Sequence, residues 1–168
     1  AESDQAGARS EGHHEPGEGA VSESLAIEAI TDADVEGVVA LWQRCGLTRP
    51  WNDPHTDIAL ARRCDNSTVL VGRANSAVVA TIMVGHDGHR GWVYYVAVDP
   101  DSRKRGFGRL IMAAAEDWLR AAGIAKLQLL VRRENAAANA FYDSLGFELS
   151  TSVMFQKWLD GRATTPSN

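Results

Sequence analysis

The chain has 168 residues, 45% of them hydrophobic, and a formal net charge of −5, a length that favours one domain burying well over half of its unfolded surface. No run approaches the roughly 18 apolar residues of a membrane span, and no secretory apolar segment stands near the start, so the expectation is a cytoplasmic protein with no membrane partner. Residues 1–24 carry six acids against Arg9 alone while acids and bases balance over the rest, and a neutral domain without a basic stripe argues against nucleic acid as a partner.

Residues 1–24 are rich in Gly, Ser and Glu and predict a disordered acidic tail with too little apolar surface to fold alone. The domain is expected over residues 25–160, with a flexible tail over 161–168. Leu25 to Ile30 alternates like a strand, and Thr31 or Asp32 caps a helix in which Val35, Val38, Val39, Trp42 and Cys45 follow helical spacing. Asp53 and Pro54 open a short second helix. Thr68 to Arg73 and Ala77 to Gly85 predict a hairpin about the Ala74 Asn75 Ser76 turn. His86 to Arg90 makes the next turn, and the nearly continuous apolar run Trp92 to Val98 predicts a strand covered on both faces. A helix over Phe107 to Ala122 stops at Gly123. The strand Lys126 to Val131, a helix capped by Asn135, and a last hairpin of Phe147 to Leu149 with Val153 to Leu159 complete the order. The class is α/β, an α+β sandwich whose mixed central sheet of six to seven strands has helices on both faces. Cys45 and Cys64 lack any Cys-x-x-Cys company and read as free thiols, and no metal site is expected.

Two segments carry chemistry. The first is Val96 Ala97 Val98 Asp99 Pro100 followed by Arg103 Lys104 Arg105 Gly106 Phe107 Gly108 Arg109. A strand here opens into a helix through a glycine-bent loop, where successive amide N–H groups converge on an anion. Four basic side chains add to the positive end of the helix dipole. This is a phosphate cradle, but not a P-loop, since no Gly-x-x-x-x-Gly-Lys-Ser/Thr string occurs. It is not a dinucleotide fingerprint either, because Ile111 stands where a small residue is needed. The second segment runs from Asn135 to Phe147. At about 100° per residue, Asn135, Asn139 and Tyr142 share a polar stripe beside the apolar stripe of Ala138, Phe141 and Leu145.

Together these segments resemble the GNAT superfamily of acetyl-CoA-dependent N-acetyltransferases. Arg103, Gly106 and Gly108 match its Arg/Gln-x-x-Gly-x-Gly/Ala loop, and Asn135, Ala138, Phe141, Tyr142, Gly146 and Phe147 match its second segment. Leu41 to Cys45, Arg49 to Pro54 and Asp87 to Gly91 further resemble a small bacterial YpeA-type branch. The resemblance implies acetyl-CoA as co-substrate and a primary amine, on a small molecule or a peptide, as acceptor. It implies that the strand ending at Val98 splays from its parallel neighbour. The backbone of Val96, Ala97 and Val98 would then take the pantetheine arm, with Arg103, Lys104, Arg105, Gly106, Phe107, Gly108 and Arg109 around the phosphates. Tyr142 is implied as the general acid for the leaving thiolate, with Asn135 and Asn139 beside the cofactor. Trp51, Asn52, Asp53, Asp87, His89 and Tyr94 fall in regions that border the acceptor cleft in this fold. Leu130 stands where relatives acting on protein N-termini carry a Glu, so the group that removes the acceptor's proton stays open. A homodimer stays open too. So do two other functional readings: a non-catalytic acyl-CoA-binding regulator, which would need Gly106 and Gly108 but not Tyr142, and a macromolecular interaction module.

Overall fold

In the computed structural model, which describes residues 24–162, the alternating segments form one sheet whose five strands lie in chain order. They are β1 (Ala26–Ala29), β2 (Ser67–Ala74), β3 (Ala77–His86), β4 (Gly91–Val98) and β5 (Leu127–Gln128). Neighbours pair antiparallel except β4 with β5, which run parallel. The β2–β3 turn is tight because Asn75 and Ser76 both take positive φ, 49° and 66°, the pair of conformations that matches the twist of a two-residue hairpin.

Four helices cover the sheet: α1 (Val35–Arg44), α2 (Pro54–Ala61), α3 (Phe107–Ala121) and α4 (Ala136–Ser144). On one face Val38, Leu41 and Trp42 of α1 and Ile58 of α2 pack on Val69 and Val71 of β2. On the other face Ile111, Met112 and Ala115 of α3 pack on Leu70, Ile82 and Val84, with Phe141, Tyr142 and Leu145 of α4 alongside. Fully burying one such large side chain contributes about 1.5–3 kcal/mol. Packing therefore holds the short helices, since α2 has only eight residues, too few to be stable in isolation.

Three of these helices stop in the same way. After α4, Gly146 takes φ 82°, its N–H donates to Asp143 O at 2.9 Å, and the Phe147 N–H donates to Tyr142 O at 3.1 Å. The same pair of bonds closes α1 at Gly46 and Leu47 and α3 at Gly123 and Ile124. At α4 the stop has a structural consequence, for it lays the Phe147 ring against Tyr142 with centroids 5.6 Å apart.

The sequence expectation of six to seven strands is corrected to five. The expected strand Lys126 to Val131 pairs only over Leu127–Gln128. The expected hairpin of Phe147 to Leu149 with Val153 to Leu159 does not form, and Leu149 and Phe155 are over 90% exposed. The reason is the early end of β5, which offers no edge for a further ladder, and an isolated two-stranded hairpin is marginal in water. The acidic tail expected over 1–24 and the tail over 161–168 fall almost wholly outside the described residues. Cys45 and Cys64 are free thiols.

One ion pair ties the start of α1 to the sheet. Asp34 is buried, and Arg73 of β2 reaches it at 2.5 Å while the Thr31 N–H and hydroxyl donate to it at 2.8 and 2.7 Å. Burial pushes the carboxyl's pKa up, but the hydrogen bonds from Arg73 and Thr31 outweigh it and hold the value at about 2. A carboxyl that is more acidic folded than unfolded stabilises the fold above its unfolded pKa and loses that contribution as pH falls through the folded value. Asp34→Asn should therefore lower urea-unfolding stability at pH 7 by about 1–3 kcal/mol. The gap from wild type should close as the pH is taken down towards 2.

Candidate active site

The parallel ladder between β4 and β5 lasts for two pairs, Gly91↔Leu127 and Trp92↔Gln128, reinforced by the Gly91 N–H donating to Lys126 O at 2.8 Å. From Val93 onward β4 has no strand partner on that side among the described residues. The two chains part there, and backbone groups along the open side of β4 are left for another partner.

On its other side, β4 slips register. Thr81 pairs with Ala97 but Met83 pairs with Tyr94, so Ile82 stands opposite both Tyr95 and Val96. Tyr95 absorbs the extra residue with φ 49°, a conformation that a bulky side chain adopts only where its surroundings hold it there. The surroundings are visible. Its ring stacks on Trp42, 3.8 Å between centroids and 7° from parallel, and the Trp42 indole N–H donates to the buried Thr81 hydroxyl at 2.9 Å. The bulge decides which face each side chain takes: Tyr95 and Ala97 join the α1/α2 side, while Val96 and Val98 join the α3 side.

On the α1/α2 side the sheet bears a cleft of about 690 Å³. Trp92, Tyr94 and Tyr95 line it together with Leu47, Asn52, Asp57, Leu60, Met83, His86 and Asp87. The Tyr95 hydroxyl donates to Asp57 Oδ2 at 2.5 Å. Burial above all, and then the Asp57 carboxylate, push the Tyr95 phenol above its ordinary range, so it stays a donor. Asp87 accepts the His89 and Arg90 N–H groups of its own turn at 2.9 and 2.7 Å. Those bonds, Arg90's first, hold its pKa at about 2.

On the α3 side, Lys104 and Gly106 both take left-handed backbone, with φ 62° and 80°, curling the loop onto the start of α3. The first N–H groups of a helix have no partner within it. Arg103, Lys104 and Arg109 are exposed around this curl, and the Arg105 guanidinium lies over the Phe107 ring at 4.7 Å. Gly108 is in van der Waals contact with α4, for a Cβ there would lie 3.1 Å from the Phe141 ring. Tyr142, next in the chain, is half-buried between Phe141 and Phe147, and burial raises its phenol pKa. Asn135 Oδ1 caps α4 by accepting the Ala138 N–H at 3.1 Å, and Asn139 braces the loop before it by donating to Arg133 O at 3.2 Å.

A profile of the acetyltransferase (GNAT) family matches residues 35–147, which hold both the parted strands and the curled loop. The chain belongs to this family. Acetyltransferase YE1169 of Yersinia enterocolitica is 39% identical over 135 residues, 80% of this chain and 96% of its own. Among solved structures, the ribosomal-protein-S18-alanine N-acetyltransferase of Escherichia coli is 26% identical with a TM-score of 0.65, covering 76% of this chain and 80% of its own. The aminoglycoside acetyltransferase AAC(6')-Iy, solved with a CoA bisubstrate analogue, shares the fold with a TM-score of 0.70 at 17% identity, over 80% of this chain and 98% of its own. The enzyme class is thus N-acetyltransferase.

Of the residues expected at a GNAT acceptor site, Asn52, Asp87 and Tyr94 line the cleft. Three do not. Trp51 is exposed, with its carbonyl accepting from Arg162 at 2.9 Å; Asp53 caps α2 through His55 N–H and the Thr56 hydroxyl; His89 sits in the β3–β4 turn. Asp57 and Leu60 of α2, Met83 and Trp92 are cleft residues that the sequence reading did not single out. For Asp57 a signal existed, an acid one helical turn after the Asp53 cap, but only the bulge brings Tyr95 to it. Among the described residues no three His, Cys, Asp or Glu side chains gather as a metal site, and no helix is long and apolar enough to cross a membrane.

The loop supplies a direct test of its geometry. Because Gly106 needs left-handed backbone while open space surrounds its Cα, Gly106→Ala should cost about 1–2 kcal/mol through backbone strain alone. In thermal unfolding that loss should lower Tm by a few degrees, about 2–4 °C per kcal/mol for a chain of this size.

Proposed function

We propose that this protein transfers the acetyl group of acetyl-CoA directly to a primary amine of a small molecule or peptide, with both substrates bound at once. The observation that carries this reading is the parting of β4 and β5 after Trp92 and Gln128, beside a loop that left-handed Lys104 and Gly106 curl onto the start of α3. The unpaired side of β4 fits an extended chain bearing its own amides, as a pantetheine arm does, and the curled 103–108 loop fits a diphosphate. In this reading Val96, Ala97 and Val98 supply the backbone edge. Phe107, Gly108 and Arg109 supply helix-start N–H groups, and Arg103, Lys104 and Arg105 supply charge. The AAC(6')-Iy structures with a CoA analogue and with CoA support acetyl-CoA as the co-substrate.

Attack of the amine nitrogen on the thioester carbon forms the C–N bond, puts negative charge on the carbonyl oxygen, and ends with rupture of the C–S bond. Backbone N–H groups on the open side of β4 stabilise that oxygen, because they are fixed before the charge develops. Tyr142 gives its phenolic proton to the departing sulfur, and the proton lost by nitrogen leaves to solvent, from which the phenolate is restored. A phenol pKa near 10 against a thiol's of about 8.5 makes this transfer mildly uphill. Burial raises the Tyr142 pKa further, which keeps the proton in place until the thiolate appears. The advantage therefore comes from position.

Calorimetry with acetyl-CoA and a thiol-release assay over a panel of amines test the reading. Tyr142→Phe should bind acetyl-CoA as wild type does while kcat falls by about a hundredfold or more, the usual worth of a positioned acid. A fall of less than about threefold removes Tyr142 from the role. Tight acetyl-CoA binding without thiol release on any amine would instead mark a non-catalytic binding module.

A further inference from the structure

The acceptor cleft carries information about which amine it takes. Its walls are apolar: Leu47, Leu60, Met83, Trp92 and the Tyr94 ring. Leu60 and Tyr94 are 50% and 48% exposed, so two large apolar groups stand in water and face the same cavity, in a fold that buries or half-buries the other large side chains packed on this face. Within the walls the charge is sparse. Asp57 and Asp87 are the two carboxylates of the lining; Asp87 is engaged by its own surroundings, its Oδ1 accepting both turn amides and the Trp92 side chain hydrogen-bonding the same carboxylate. Asp57 differs. Its Oδ2 accepts the Tyr95 hydroxyl at 2.5 Å, and its Oδ1 has no hydrogen-bond partner among the described residues. The hydroxyl bond fixes the carboxylate, and the Trp42 stack fixes the hydroxyl.

We infer that the cleft selects acceptors with a single ammonium group on an apolar aromatic or branched alkyl body, with Asp57 Oδ1 anchoring the ammonium and Tyr95 holding Asp57 in place. The inference rests on the acetyl-transfer reading above and narrows its acceptor. A polycation loses here on two counts. It finds one carboxylate oxygen ready for it, and its remaining charges lie against Leu47, Leu60 and Met83, where desolvation is uncompensated. An apolar body gains from the same walls. The proton that the ammonium sheds before attack goes to solvent, so Asp57 acts in binding and not in bond making. It is a specificity residue.

The experiment measures kcat and KM by thiol release with 2-phenylethylamine, spermidine and neamine, alongside the acetyl-CoA Kd by calorimetry. Wild type should show kcat/KM for 2-phenylethylamine at least about tenfold above either polycation. Asp57→Asn should raise the 2-phenylethylamine KM about tenfold or more, with kcat and the acetyl-CoA Kd within about threefold, the split expected when ground-state binding alone is lost. Tyr95→Phe keeps the ring on Trp42 and removes only the hydroxyl, and should raise the same KM by a smaller factor. Leu60→Glu, on a half-exposed wall, should narrow the preference over spermidine by about tenfold, since it adds a second anionic partner. Preference for either polycation, or an unchanged KM in Asp57→Asn, overturns the inference and leaves acetyl transfer standing. Failure to bind acetyl-CoA, or thiol release with no amine, overturns both.

Discussion

A parallel strand pair that hydrogen-bonds for two residues and then separates leaves one side of β4 with backbone donors and acceptors inside a sheet. Unpaired buried amides are costly enough that folds seldom keep them, and here the cost is met by geometry on either hand. Gly91 and Trp92 zip to Leu127 and Gln128 at one end, and α3 and α4 close around the other through Gly108 and Phe141. The parted strands also set the limits of the rest. Because β5 ends at Gln128, Leu129 and Leu130 leave the sheet early, and the residues from Phe147 onward have no edge to extend.

The bulge at Tyr95 does for side chains what the parting does for the backbone. Without the extra residue, strict alternation would send Trp92, Tyr94 and Val96 to one face and Tyr95 to the other. With it, Tyr94 and Tyr95 share the α1/α2 face, and Val96 and Val98 turn to the α3 face. A left-handed tyrosine costs of order 1–3 kcal/mol. The Trp42 stack, the Thr81 bond to the indole and the Asp57 bond to the hydroxyl offset that strain. The same three contacts tie the cleft to the hydrophobic core under α1, so the cleft's polar end is as well fixed as the core is.

The legible part of this chain was the part written in local code. The Asn75 Ser76 turn, the Asp53 and Asn135 caps, the Gly123 stop and the Gly106 loop each rest on a few consecutive residues, and each is found where the sequence placed it. The helical stripe that set Phe141 and Leu145 in the core was equally local. Illegible were features decided by partners distant in sequence. Alternation in Val153 to Leu159 describes a strand only if an edge is there to receive it, and none is. Nothing in the string Trp92 to Val98 marks Tyr95 as the bulged residue, since Tyr94 is identical in type. Asp57 reads as an ordinary acid in the first turn of a helix until the bulge delivers a hydroxyl to it.

The two faces divide the work in a way that follows from these constraints. The α3 face is built from backbone, since N–H groups at a helix start and along a strand edge accept any side chain that leaves φ and ψ intact; this is why a phosphate-and-amide ligand can be read from glycine spacing. The α1/α2 face is built from side chains: Asn52, Asp57 and Leu60 lie on or just before α2, with Tyr94 just before the bulge and Tyr95 in it. A short helix whose burial is carried by Ile58 and Ala61 can change its exposed residues without disturbing the sheet. The identity of the acyl donor is therefore tied to the fold. In the reading proposed above, the identity of the acceptor is tied to one turn of one helix and to the residue with which β4 breaks its alternation.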